Sequence, residues 1–147
     1  MGRIGAKTNS PLVIIADADA IVAQVSSKDS LHIKAVTIAE KLVRLNARIL
    51  YPVTAITEAT THIQRVLSNG VMAYSVVDNF IDPQIAIIEV NQETIKSAMR
   101  LFSPKASKKA TLYDCIVAAI ARERRADAIF SFDKFYQKNG FKLASEL

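Results

Sequence analysis

Apolar residues fall along this chain in two alternating rhythms. Leu12-Val13-Ile14-Ile15-Ala16 is an unbroken, largely β-branched run, the pattern of a strand buried on both faces, and it stops at Asp17. Beyond a polar stretch from Ser26 to Asp29 the spacing becomes helical, with Leu31, Ala35, Ile38, Leu42 and Leu45 on one side. This predicts a helix of about four turns capped by Asp29 or Ser30. Ile49-Leu50-Tyr51-Pro52-Val53 predicts a second strand, its proline marking residues that leave the hydrogen-bond ladder. Thr54 is the expected cap of a helix that turns Ile56, Ala59, Ile63 and Val66 inward and stops at Asn69-Gly70. Met72, Val76 and Phe80 read as another helix before Pro83, with a strand as the alternative for so short a run. Ile85 to Val90 predicts a third strand, and Asn91 the cap of a helix with Ile95, Ala98 and Phe102 inward. After a loop over Ser103 to Lys109, a long helix is expected from about Thr111 to Arg124, burying Ile116, Ala119 and Ile120. Ala128 to Phe132 closes the series as a fourth strand.

Strands alternating with helices imply right-handed crossovers, because a right-twisted strand feeding a helix packs back onto its sheet only that way. The expected fold is α/β in three layers, a central parallel sheet of about four strands flanked by helices. A single domain over residues 1–147 is expected, with a short basic tail over residues 1–11 and neither a repeat nor a linker. Composition narrows the class. Half the residues are hydrophobic, and only four are Gly and four Pro, which excludes disordered and collagenous chains. A lone cysteine, Cys115, excludes a disulfide scaffold and a Cys-rich zinc module, and fits a reducing cytoplasm. No apolar run approaches the ~20 residues of a membrane span. Nineteen Lys and Arg against fourteen Asp and Glu leave a net charge of +5, which favours polyanionic partners such as nucleic acid.

Two of the four predicted strands run directly into a carboxylate, Asp17 and Asp133. In an open parallel sheet the ligand crevice lies beyond the carboxyl ends of the strands, so both acids are expected at one edge. Glu58 and Asp114 fall in first turns of helices that start at that edge. Each acid has an ordinary structural role open to it: Asp114 closes a Thr111-x-x-Asp114 capping box, Glu58 complements a helix dipole, and Asp17 and Asp133 suit turns. Four such roles have no reason to cluster on one edge. Crowded carboxylates repel and raise one another's pKa unless a cation neutralises them. With all-oxygen ligands, and with His32 and His62 the only histidines, Mg2+ or Mn2+ is preferred over zinc.

These segments resemble the PIN-domain nucleases, the family that includes the VapC-like toxins of toxin–antitoxin pairs. The resemblance spans most of the chain. Val13-Ile14-Ile15-Ala16-Asp17 looks like the family's first strand and Asp, and Thr54-Ala55-Ile56-Thr57-Glu58 carries its helix-borne Glu. Thr111-Leu112-Tyr113-Asp114 and the Ala-rich helix after it look like the third acidic segment. Ala128-Ile129-Phe130-Ser131-Phe132-Asp133-Lys134-Phe135 looks like the strand with Ser or Thr two residues before a final Asp. One position departs: Asp19 stands where Ser, Thr or Asn is usual. Two roles stay open for it, a further ligand or water-orienting group, and a residue of the following turn.

The resemblance implies an Mg2+- or Mn2+-dependent endoribonuclease with Asp17, Glu58, Asp114 and Asp133 catalytic and Asp17, Asp114 and Asp133 holding metal. Ser131 and Asp19 would support those ligands. It further implies an RNA substrate, an antitoxin partner that blocks the acidic cleft, with residues 30–46 and 54–68 as groove walls, and a homodimer. Lys105, Lys108, Lys109 and Lys134 flank the expected cleft as candidate phosphate contacts, and Lys138 lies nearby. His62, one turn beyond Glu58, is either a proton donor at the cleft or a surface residue. Cys115 reads as a buried small hydrophobe, and Arg122, Arg124 and Arg125 as complements to a helix C-terminus. Two other readings stand beside the nuclease: a catalytically silent PIN-like module that binds RNA or protein, and a haloacid-dehalogenase-like phosphatase using Asp17 and Asp19.

Overall fold

The computed structural model describes residues 10–105, 108 and 110–147. The expected tail therefore lies outside the described residues as far as residue 9, and Lys109 lies outside them too. Four strands, β1 (Val13–Ala16), β2 (Arg48–Pro52), β3 (Ala86–Ile88) and β4 (Ala128–Phe130), form one sheet in the order β3-β2-β1-β4. Every pairing is parallel. Seven α-helices are described: α1 (Ala18–Val25), α2 (His32–Arg44), α3 (Val53–Arg65), α4 (Gly70–Phe80), α5 (Gln92–Ala98), α6 (Leu112–Glu123) and α7 (Lys134–Lys138). A single 3-10 turn follows at Ala144–Glu146. The three-layer α/β arrangement predicted from the alternating rhythms is the one observed.

Successive side chains of a strand point to opposite faces, and the sheet uses both. Ile15, Leu50 and Ile129 pack with Ile116, Ile120 and Ala98 under α5 and α6. Ile14, Ala128 and Phe130 pack with Ala35, Ile38 and Leu42 of α2 on the other face. A third cluster joins Ile21 and Val22 of α1 to Ile56 and Ile63 of α3 and Val76 of α4. Strands β1 and β4 are wholly apolar, as parallel strands covered on both faces must be. The first polar residue after each lies at the sheet edge.

Several local expectations are corrected. Helix α1 went unpredicted, because Ala18 to Val25 is a short run in which periodicity does not separate helix from strand. Helix α2 starts at His32 with Leu31 at its cap position, while Asp29 Oδ1 accepts from the Leu31 N–H at 2.8 Å and shapes the preceding turn. Thr54 does not cap α3. The helix begins at Val53, after Pro52, and Thr54 Oγ1 is buried without a hydrogen-bond partner among the described residues. Asn69 caps α4 through its bond from Met72 N–H, so the Asn-Gly pair opens the next helix as well as ending the previous one. Leu45, Val66 and Phe102, expected inward, are exposed, since each follows the last turn of its helix and escapes the packed stripe.

Ile15 is fully buried at the centre of the sheet. Replacing it by Ala leaves a cavity that rigid neighbours on both sides cannot close. Denaturant unfolding of Ile15→Ala is expected to show a loss of about 2–5 kcal/mol with little change in slope.

Candidate active site

Strand order places the site. The connection from β1 leads to β2 on one side, whereas β4 joins β1 on the other, so the crevice between β1 and β4 is a topological switch point. Ala16 and Phe130 are in register, and the Asp17 N–H donates to Phe130 O at 3.0 Å, so the two strands end level. Asp17 then caps α1, its Oδ1 accepting from Ala18 N–H at 2.7 Å. Its Oδ2 accepts from the Tyr136 hydroxyl at 2.6 Å. Asp133, three residues beyond β4, caps α7 by accepting from Phe135 N–H at 2.9 Å. From the other side, Asp114 in the first turn of α6 accepts at Oδ2 from the Thr111 N–H at 3.0 Å and the Thr111 hydroxyl at 3.3 Å.

Asp19 braces the turn after β4. Its Oδ2 accepts from Ser131 Oγ at 3.0 Å and from Phe132 N–H at 2.8 Å, and Oδ1 accepts from Ala20 N–H. Ser131 Oγ in turn accepts from the Asp133 N–H at 3.1 Å. Asp17, Asp19, Glu58, Asp114 and Asp133 line one cleft of about 220 Å³, together with Thr111 and Ala18. The structure therefore gathers the four acids expected to be catalytic and, with them, Asp19. Having both oxygens committed to these donors, Asp19 is poorly suited to be the free acid that a phosphatase would need.

Charge is concentrated here without relief. Burial, and then the charge of Asp19, raise the Asp17 carboxyl well above the ordinary range, against the opposing hydrogen bonds from Tyr136 and Ala18. Burial chiefly, with the charges of Asp114 and Asp19, pushes Glu58 up to about 7. Asp19 and Asp114 are also raised, again mainly by burial. Among the described residues, neither Lys nor Arg donates a hydrogen bond to any of the five. A divalent cation would answer that repulsion, and five carboxylates form a hard-oxygen donor set suited to Mg2+ or Mn2+. Among the described residues, no three metal-binding side chains stand together as a cluster able to hold a metal ion.

Ser131 is buried and donates its hydroxyl to Asp19 Oδ2. Lys105, Lys108 and Lys134 are exposed and do not line the cleft. His62 lines an adjoining cavity instead. Cys115 is fully buried in the apolar core. Tyr136 was missed. Burial and the Asp17 charge raise its phenol, so it stays protonated and donates. The available signal was a tyrosine in the turn after Asp133, since a buried phenol needs a polar partner.

The strain in Glu58 has a pH signature. Its folded value of about 7 stands above the ordinary 4.5, so between these the folded protein binds more protons than the unfolded chain. Its stabilising contribution is complete below 4.5 and is lost as pH rises through about 7. Thermal unfolding of EDTA-treated protein is expected to weaken across that window. Glu58→Gln should show a shallower decline and exceed wild type in stability at about pH 8; an unchanged slope would remove Glu58 as the source.

Comparison with solved structures agrees with this architecture. VapC20 of Mycobacterium tuberculosis, described as a sarcin-ricin-loop-cleaving toxin, is similar at a TM-score of 0.74 and 15% identity, over 87% of this chain and 95% of that one. A chain of VapBC2 from Rickettsia felis, solved bound to a DNA fragment from its promoter, gives 0.61 and 12%, over 90% and 96%. A chain of FitAcB from Neisseria gonorrhoeae gives 0.60 and 14%, over 91% and 99%. No curated protein matches the sequence. Residues 14–142 match the PIN domain, a span that runs from the first strand past the last and takes in every carboxylate of the cleft, and the chain belongs to the PIN domain family.

Proposed function

We propose that this protein is an Mg2+- or Mn2+-dependent endoribonuclease and the toxin of a toxin–antitoxin pair. The observation that carries the reading is the convergence of Asp17, Glu58, Asp114 and Asp133, with Asp19, on one cleft at the switch point of the sheet. Similarity to a toxin described as cleaving the sarcin-ricin loop, and to chains of VapBC2 and of FitAcB, supports it.

Asp17, Asp114 and Asp133 would hold the cation, which when bound lowers the pKa of water and polarises the scissile phosphate. The chain's own groups prepare for that. The Tyr136 hydroxyl fixes the rotation of the Asp17 carboxyl through Oδ2. The Asp19–Ser131 brace sets the turn that presents Asp133. Glu58, half-buried with a pKa of about 7, suits the carboxylate that orients water and accepts its proton near neutral pH. Lys105, Lys108, Lys109 and Lys134 would draw the phosphate backbone toward an otherwise repulsive cleft, in a chain whose net charge is +5.

An exposed apolar stripe supports a homodimer. Val71, Tyr74 and Val77 of α4 and Ile81 just after it are exposed at helical spacing, and Val66 and Leu67 before the helix are exposed too. A row of this kind is costly in water unless covered. Residues 30–46 and 54–68, which contain α2 and α3, would form the walls that receive the antitoxin. Sedimentation is expected to show a dimer for wild type and a monomer for Tyr74→Glu; a monomeric wild type would reject the dimer.

Purified protein is expected to cut end-labelled single-stranded RNA in Mg2+ or Mn2+, to stop in EDTA, and to lose about a hundredfold or more in rate as Asp114→Asn. Equal cutting by wild type and variant would assign the activity to a contaminant. Binding without cutting across RNAs of varied structure would favour a silent RNA-binding module.

A further inference from the structure

Beside the acidic cleft, and sharing Ala18, Asp19 and Glu58 with it, lies a second cavity of about 240 Å³. Its chemistry differs from that of its neighbour. Val22 of α1, Ala59 of α3 and Leu31 before α2 supply apolar walls, and Asp29 and His62 supply polar groups. Asp29 has one carboxylate oxygen fixed by the Leu31 N–H at 2.8 Å, while its other oxygen has no partner among the described residues. The His62 side chain is exposed, with no hydrogen bond to a described residue.

We infer that this cavity is a base-binding subsite that takes guanine from the nucleotide adjoining the phosphate in the acidic cleft. The inference rests on the nuclease reading above. Single-stranded RNA is read by splaying bases out, burying their faces against apolar side chains and pairing their edges with polar groups. The walls at Val22, Leu31 and Ala59 suit a base face. An ionised carboxylate only accepts hydrogen bonds, so Asp29 selects an edge that donates. Guanine presents two neighbouring donors, N1–H and the N2 amino group, whereas adenine and cytosine place an acceptor beside their amino group and uracil offers a single N–H. A ring N–H of His62 suits the guanine O6 acceptor at the same edge. Contiguity with the cleft is what makes the pair a site: the base would enter one cavity while its phosphate occupies the other.

The test titrates wild-type protein in Mg2+ with each of the four ribonucleoside 5′-monophosphates, following the methyl NMR signals of Val22, Leu31 and Ala59. Guanosine monophosphate is expected to shift these signals and to bind about tenfold more tightly than the other three. Asp29→Asn should abolish that preference and His62→Ala should reduce it, with the remaining spectrum reporting an intact fold. Absence of shifts at the three methyls, equal affinity for all four nucleotides, or a guanine preference that survives Asp29→Asn would each overturn the subsite. Mapping of cut sites on RNA of mixed sequence separates the two readings. Cuts adjoining guanine support both. Cutting without regard to the neighbouring base retains the nuclease and rejects the subsite, whereas guanine binding at the cavity with no cutting of any RNA does the reverse.

Discussion

The rest of the site depends on holding one buried carboxylate, Asp17, at the tip of the central strand. A carboxylate out of water costs several kcal/mol unless it is paired or hydrogen-bonded. Two donors offset that cost, the Ala18 N–H and the Tyr136 hydroxyl. Tyr136 is itself fully buried in the cluster with Ile15, Ile120 and Ile129. The apolar core therefore fixes the acid's orientation directly, and packing and chemistry are coupled through a single phenol. Where Tyr136 goes, α7 goes, and Asp133 at its cap follows.

Around that acid the protein accumulates negative charge that no lysine or arginine among the described residues pairs with by hydrogen bond. Asp17, Asp19, Glu58 and Asp114 are all pushed upward, with burial the first cause in each case. Such an arrangement works against stability at neutral pH, and an apolar or amide side chain at these positions would relieve it. The strain would make physical sense if a cation bound there, and it leaves one carboxylate, Glu58, close to its own pKa at neutrality. Asp19 shows how the cost is contained: it adds charge, yet two of its three hydrogen bonds, from Ser131 and Phe132, hold the turn that carries Asp133.

Opposed fields shape the surface as a whole. The chain carries a net charge of +5 while its cleft is lined by five acids, so a polyanion approaching it would be attracted at long range and repelled at the cleft unless a cation intervened. The apolar-walled cavity at Val22, Leu31 and Ala59 adjoins that point without sharing its full charge density. Both cavities draw on α1 and α3, which pack against each other through Ile21, Val22, Ile56 and Ile63. A change in the angle of those two helices would alter both at once.

Local patterning determined much of this protein. The β-branched runs at Leu12–Ala16 and Ala128–Phe132 specify strands buried on both faces, and an acid after each run lands at the carboxyl edge of any parallel sheet, so Asp17 and Asp133 were legible before the fold was. Asp114 followed from a helix start and its pairing with Thr111 from its spacing, whereas Glu58, expected in a first turn, lies in the second turn of α3 because that helix begins at Val53. What periodicity does not carry is pairing across long separations. The bonds from Ser131, Phe132 and Tyr136 to Asp19 and Asp17 span 112, 113 and 119 residues. They exist only because β4 lies beside β1, and burial patterns state which residues go inside, not which strands become neighbours. For the same reason the role of Asp19, the place of Tyr136 and the cavity between α1 and α3 were decided by tertiary structure alone, since each depends on side chains brought together by packing that no local rhythm records.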